Sequence, residues 1–335
     1  MHTITAQVSR RCSHLGSSDR FLDFLRATLG EVPSKHLPTP GKFCRFGGTS
    51  KPMWALLFED GQGGIAGDWR DNSTHVWQAQ THPLTPQQSE RVRQALQQVR
   101  AQRERQQRQQ WACNAYKLRR MMAESLPVEP GSPVAYYLTR RLGLRALGGF
   151  VPGWQQQVIR YAPALPYFDE DGQPCGSHPA MLAALTSPQG ELVAIHRTWL
   201  TPDGQKAHVP GPVKKLTSTC GPLAGAGIVL FSGPDEQGVI GIAEGIETAL
   251  AASLGAGVPV CAAYSASNLA AWCWPEQTRR LLVFADHDPA GQKAAQTLLG
   301  RALGAGLQAS ILTPSTPGQD WCDVWAQRAA KAVQA

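Results

Sequence analysis

The chain has 335 residues, 42% of them hydrophobic, and a formal net charge of +7. That length and apolar content supply cores for two or three domains without disulfide staples, and eight scattered cysteines with no C-x-x-C pair exclude a zinc ribbon and a thioredoxin-type motif. Residues 1–30 lack the apolar core of a signal peptide and no run approaches the roughly 18 apolar residues that span a bilayer, so the expectation is a soluble, cytoplasmic protein with reduced thiols.

Residues 1–82 read as a small α+β domain. An amphipathic helix capped by Ser17 or Ser18 presents Phe21, Leu22, Phe24, Leu25 and Leu29 on one face and ends at Gly30. Short strands follow at 43–46, 53–58 and 74–77, separated by glycine-rich turns such as 60–64. Trp54, Phe58, Trp69 and Trp77 are read as the core of so small a domain, with base stacking the rival use.

Residues 83–126 form a linking helix that carries the charge. Between Gln87 and Arg120 stand nine basic side chains against two acidic ones, Glu90 and Glu104, while the remainder of the chain is neutral. Apolar stripes occupy only the ends, with Val92, Leu96 and Val99 at one and Trp111, Ala115, Leu118 and Met122 at the other. A helix with nothing to bury in its middle bridges domains through solvent. Its focused positive charge, which includes Arg103 and Arg105, suits a polyanion, and nucleic acid is the commonest one.

Residues 127–235 open on a proline-rich breaker at 127–133, and a helix restarts at Ser132, runs to Arg141 and stops at Gly143. Strands at 159–161, 181–185, 192–200 and 206–209, with turns at 187–190 and 201–204, give an antiparallel meander. Basic and polar residues recur at its outlets: His196, Arg197, Lys206, Lys214 and Lys215. In residues 236–335 strands at 239–243, 258–263, 281–285 and 308–312 alternate with helices at 245–254, 267–273, 289–303 and 323–333, the pattern of a parallel sheet built by right-handed crossovers. The glycines of 221–227 precede the first of these strands, so they read as a loop and not as a dinucleotide-binding turn.

Acidic residues gather at the carboxyl ends of these parallel strands. Glu244 ends the first and is followed by Gly245, which is expected to ease a tight turn into the helix. Asp286 and Asp288 end another with one residue between them, so in extended geometry they point the same way while His287 points away. Pro289 and Gly291 fix the next turn, and Asp320 and Asp323 follow the last strand. Asp288 is also placed to cap its helix, and Glu247 reads as a surface residue. Carboxylates so gathered repel one another unless a cation sits among them.

An E-G strand end followed about forty residues later by Asp286-His287-Asp288-Pro-Ala-Gly291 resembles the signature of the Toprim domain of DnaG-type primases, topoisomerases and some nucleases. Gln319-Asp-Trp-Cys-Asp323 is similar to the K-D-x-N-D box of the primase branch, with Gln and Cys replacing Lys and Asn. Upstream, the hairpin ending at His196-Arg197 and the segment Val213-Lys-Lys-Leu-Thr-Ser218 resemble the primase core. Glu244-Gly-Ile-Glu-Thr-Ala-Leu250 and Ser265-Ala-Ser-Asn-Leu269 are similar to the Toprim primases of plasmids, phages and integrative elements.

The resemblance implies an α/β Toprim domain at 236–335, a parallel sheet flanked by helices. An α+β primase-core subdomain at 127–235 and the small α+β domain at 1–82, which takes the zinc-ribbon position without its ligands, precede it. It implies a DNA primase that makes short RNA primers on single-stranded DNA from nucleoside triphosphates with Mg²⁺ or Mn²⁺ and no zinc, beside a separate replicative helicase, in the replication of a plasmid, phage or mobile element. Glu244, Asp286 and Asp288 take the catalytic and metal-binding positions, with Glu244 either a ligand or an acid or base. Arg197, Lys214 and Lys215 take the nucleotide and nucleic-acid positions, joined on charge by Lys206, Arg103 and Arg105, while Gly245, Asp320 and Asp323 support. Two alternatives remain: a Toprim nuclease, and a nucleic-acid-binding accessory protein without turnover.

Overall fold

The structure, a computed structural model, describes residues 5–6, 16–33, 38–48, 51–71, 73–79, 85–144, 155 and 157–334. Cys12 lies outside them. The chain divides into two units, Met1–Arg108 and Gln109–Ala335. Among the described residues no helix is long and apolar enough to cross a membrane.

The first unit is a five-stranded sheet, order β1-β5-β4-β3-β2, with helix α1 (Ser17–Leu29). The strands are β1 (Thr5–Ala6), β2 (Phe43–Phe46), β3 (Met53–Leu57), β4 (Gly63–Asp68) and β5 (Ser73–Gln78). All neighbours pair antiparallel except β1 with β5. Helix α1 lays Phe21, Phe24 and Leu25 against Met53, Ala55, Leu57 and Trp77. A second cluster joins Trp54, Ile65 and Val76 to Val92, Ala95 and Val99. Those last three residues belong to the first turns of helix α2 (Pro86–Glu124), so its leading stripe completes a core, and Trp54 and Trp77 are core residues.

Two local expectations give way here. Neither serine caps α1; Gly16 occupies the N-cap with no side-chain bond, although Gly30 ends the helix in the left-handed conformation at φ 76°. Residues 63–64, read as part of a turn, begin β4. The glycines hide that strand from a propensity reading, yet contact requires them: a Cβ on Gly67 would lie 2.2 Å from the Ser73 carbonyl and 2.7 Å from the Trp54 ring. Helix α2 starts on a reciprocal cap, with Thr85 Oγ1 accepting from the Gln88 amide at 3.2 Å and Gln88 Oε1 from the Thr85 amide at 2.9 Å. Its residues 100–110 are exposed throughout, save that Arg103 also stacks 4.2 Å from the Trp69 ring centroid.

The second unit begins with the last turns of α2, where Leu118 packs among Tyr167, Leu182 and Trp199. Helix α3 (Pro133–Arg141) is capped by Ser132, whose hydroxyl accepts from the Ala135 amide. An antiparallel sheet follows in the order β6 (Ile159–Phe168), β7 (Pro174–Thr186), β8 (Leu192–Trp199), β9 (Lys214–Leu216). Its fourth strand is a correction, because β9 and not residues 206–209 pairs with β8. Between Leu200 and β9 only Lys206 bridges back; Pro210 and Pro212 supply no amide donors, and their carbonyls instead accept from the Tyr167 hydroxyl.

The parallel sheet has the order β11-β10-β12-β13, from β10 (Val239–Ala243), β11 (Val260–Ala262), β12 (Arg280–Phe284) and β13 (Gln308–Leu312). Helices α4 (Ile246–Ala256), α5 (Ala266–Ala271) and α6 (Pro289–Gly304) connect these strands in turn, and α7 (Trp321–Gln334) closes the fold. One core runs from Leu138, Ile159 and Met181 in the antiparallel half to Ile246, Leu250 and Phe284 in the parallel half. The chain steps from β10 to β11 on one side and returns to β12 on the other, so the strand order reverses at β10. In open parallel sheets the crevice at the carboxyl ends beside such a reversal is where ligands bind.

Candidate metal centre and nucleotide site

The register Ala243↔Phe284↔Leu312 ends three strands at one level, so the residues that follow share one edge. Glu244 leaves β10 there. Gly245 then N-caps α4 at φ −93°, an ordinary extended conformation, and a Cβ on it would lie 3.3 Å from Thr248 Oγ1. The backbone conformation there does not require glycine, but the snug space beside Thr248 is what glycine eases. Beside this turn Tyr264, whose amide bonds the Glu244 carbonyl at 2.8 Å, adopts φ 64°, which is uncommon for a bulky residue and costs backbone strain.

Asp286 follows β12 and is half-buried, and its Oδ1 is a buried atom with no hydrogen-bond partner. Burial, and then the charges of Asp320, Glu244, Asp288 and Asp323, push its carboxyl up to about 7. Glu244 is raised as well, by burial and then by Asp288, with the Ala266 amide opposing. The Asp286 carbonyl is fixed by Gln292 Nε2 at 2.9 Å, a group that also reaches Thr313 Oγ1 at 3.1 Å. Asp288 is exposed and caps α6 by accepting from the Gly291 amide at 2.8 Å, so capping is one of its roles. His287 turns to the Pro314 carbonyl, 2.8 Å from Nδ1, as a packed residue.

Asp320 and Asp323 are tied to each other, Asp320 Oδ1 accepting from the Asp323 amide at 2.8 Å and Asp323 Oδ2 from the Asp320 amide at 3.4 Å. Arg141 lies 3.7 Å from Asp320 Oδ2. Five carboxyl groups therefore share one field. Yet among the described residues no three His, Cys, Asp or Glu side chains stand in an arrangement that could hold a metal ion. The all-oxygen donors, the raised Asp286 carboxyl and its unpartnered Oδ1 suit a hard divalent cation such as Mg²⁺.

The basic residues divide. Side chains alternate along a strand, so Lys214 and Lys215 leave β9 on opposite faces. Lys214 Nζ donates to both oxygens of Glu247, at 2.8 and 3.0 Å. Lys215 instead lies 4.0 Å from the Tyr167 ring centroid and donates to the Phe168 carbonyl at 2.6 Å. Arg197, the pairing partner of Lys215, shares that second face, stacks 5.0 Å from the Trp199 ring centroid and donates to the Leu216 carbonyl. Burial lowers its guanidinium, and its Nε is buried without a partner. Lys206 is exposed, and Arg103 and Arg105 belong to the first unit.

A Toprim domain family matches residues 239–331, the strands and acids just described. Residues 239–331 are a Toprim domain. Residues 113–230 match a domain of unknown function (DUF7146). No curated protein matches the chain. Among solved structures, a DNA primase domain from Pseudomonas aeruginosa is 17% identical over 51% of this chain and 54% of its own, with a TM-score of 0.35. The zinc-binding and RNA polymerase domains of the Aquifex aeolicus primase are 15% identical over 59% and 53%, TM-score 0.39. A DnaG primase catalytic domain bound to single-stranded DNA is 15% identical over 68% and 80%, TM-score 0.44. The chain spans about half the length of the first two.

Three residues of this region escaped the sequence reading. Glu247, expected at the surface, is 4% exposed and accepts from both Lys214 and the Tyr137 hydroxyl, and the lysine holds its carboxyl down to about 2 against its burial. Tyr137 is buried, and its phenol is raised by burial and then by the Glu247 charge. Arg141 follows it one turn later on α3 and faces the acids of the Toprim domain. A lone acid in the apolar run Ile246-Glu-Thr-Ala-Leu-Ala-Ala252 was the available signal for Glu247.

Proposed function

We propose that the chain is a metal-dependent nucleotidyltransferase of the primase kind, which makes short RNA primers on single-stranded DNA from nucleoside triphosphates. The observation that carries the reading is the gathering of Glu244, Asp286 and Asp288 at the carboxyl edge of the Toprim domain, with Asp286 raised by its burial and then by its acidic neighbours. These three side chains would hold Mg²⁺ or Mn²⁺, and Asp320 and Asp323 would add negative charge behind them. When bound, the cation supplies charge stabilisation at the attacking and leaving oxygens of phosphoryl transfer. Where Glu244 is not a ligand, its carboxyl, raised by burial, would serve as an acid or base beside the reacting hydroxyl.

Lys214 would meet nucleotide phosphate, and Arg197 and Lys215, on the other face of the antiparallel sheet, would meet template backbone with Lys206. The exposed arginines Arg103 and Arg105 would add phosphate contacts in the first unit. The reading also places the chain in the cytoplasm beside a separate helicase and assigns it to a plasmid, phage or integrated element.

A second reading, binding without turnover, rests on the altered box at Gln319-Asp-Trp-Cys-Asp323, where Gln and Cys stand in place of Lys and Asn. Incubation with single-stranded DNA, labelled nucleotides and either cation separates the two. Extension products support primer synthesis, and cleavage products would identify a nuclease. Binding with neither product, over varied templates and both metals, defeats the proposal. Asp286→Ala is expected to abolish synthesis while leaving template binding within about twofold, since phosphate contacts and not this acid supply affinity.

A further inference from the structure

We propose that Glu247 is a positioning residue for nucleotide phosphate: its buried carboxylate, held by the Tyr137 hydroxyl, fixes the Lys214 ammonium at the seam between the antiparallel and parallel sheets. The inference deepens the nucleotidyl-transfer reading and rests on it.

The three groups come from three separate elements, Tyr137 from α3, Lys214 from β9 and Glu247 from the first turn of α4. A carboxylate that is 4% exposed persists only if its charge is met, and here three donors meet it: the lysine at 2.8 and 3.0 Å, and the tyrosine. The lysine differs from its partner in exposure. Its side chain is 34% exposed, so the pair is a dipole with its negative end sealed in the core and its positive end reaching solvent. An ammonium has three donors, two of them given to Glu247, and the third is left for an anion arriving from outside.

An untethered lysine would lose rotamer freedom on meeting that anion; this one has lost it beforehand, which lowers the cost of binding. His196 flanks the pair on the same face of the sheet, with an unpartnered buried Nδ1. Burial and then the Lys214 charge lower its pKa to about 4, so it adds no rival positive charge. Glu247 stands three residues after Glu244, in the same strand-to-helix turn. The turn that presents one acid at the sheet edge thus anchors the lysine with the next.

The test measures nucleotide KM and kcat in primer synthesis together with unfolding midpoints. The variants are Tyr137→Phe, Glu247→Gln and the charge swap Lys214→Glu/Glu247→Lys. Tyr137→Phe keeps the buried ring and removes one charge-assisted bond, and it should raise KM by roughly three- to tenfold with kcat within about twofold. Glu247→Gln should raise KM by about tenfold or more. The swap should not recover KM, because it leaves a carboxylate and not an ammonium at the solvent-reaching end of the pair.

Unchanged KM in Tyr137→Phe and Glu247→Gln overturns the inference, as does a swap that restores KM. If Glu247→Gln fails to fold, Tyr137→Phe decides alone by the same criterion. A wild-type chain that makes no primers defeats the nucleotidyl-transfer reading instead, and the inference is then read from calorimetric titration with tripolyphosphate. There the same variants should weaken binding by the same factors, and equal affinity, or no binding by the wild type, overturns it.

Discussion

Replacing Asp286 by Asn removes one charge from a crowded acidic edge, so the variant should be more stable than the wild type whenever no divalent cation is present. The folded-state carboxyl is raised from 3.8 to about 7, by burial first and then by Asp320, Glu244, Asp288 and Asp323. A raised acid binds its proton more tightly in the folded state, so its contribution is full below about pH 3.8 and is lost as pH rises through about 7. Taken whole, the shift is worth about 4 kcal/mol. The group is only half-buried, and screening reduces the figure to roughly 1–2 kcal/mol. In a unit of this size that is a rise of about 2–8 °C in unfolding midpoint.

The assay is thermal unfolding in a chelator at pH 8 and pH 5. The gap between Asp286→Asn and wild type should be largest at pH 8, where the wild-type carboxyl is charged, and should narrow at pH 5, where it is mostly protonated. Added Mg²⁺ should raise the wild type more than the variant. A variant no more stable than wild type at pH 8, or a gap unmoved by pH, would refute the argument that these five acids share one field.

The buried Glu247 gives the opposite sign. Its folded pKa is depressed from 4.5 to about 2, so its stabilisation is present above about 4.5 and is lost as pH falls through about 2. The loss should be about 3 kcal/mol, read as a falling urea midpoint between pH 6 and 2 that flattens in Glu247→Gln. In the first unit, Gly67→Ala should cost about 2–3 kcal/mol, because the new methyl meets the Ser73 carbonyl and the buried Trp54 ring; equilibrium unfolding followed by tryptophan fluorescence checks it. Arg103→Ala and Arg105→Ala should each weaken single-stranded DNA binding alike across sequences and lower the slope of log K against log salt by roughly 0.7; an unchanged slope removes those arginines from the interface.

The parallel strands, the crossover helices and the acids at their ends were legible because each is written locally. An apolar run, a glycine or proline at the turn and a carboxylate just past the run need no distant partner to be recognised. The same holds for α3, whose serine cap and Pro133 mark its start. Strand β4 was not legible, because Gly63, Gly64 and Gly67 look like turn residues until Phe21 and Trp54 are seen packed against them. Strand β9 is three residues long and became visible only through its pairing with β8.

The sequence by itself determined where along the parallel sheet the acidic residues fall; tertiary structure decided which side chains meet. Neighbouring lysines in the sequence, Lys214 and Lys215, are separated by the alternation of a strand into an ion pair on one face and an aromatic contact on the other. Glu247 and Tyr137 stand 110 positions apart and touch only because one core draws α3 against α4. Local spacing fixes the direction in which a side chain leaves its own element, and only the packing of elements fixes what it finds there.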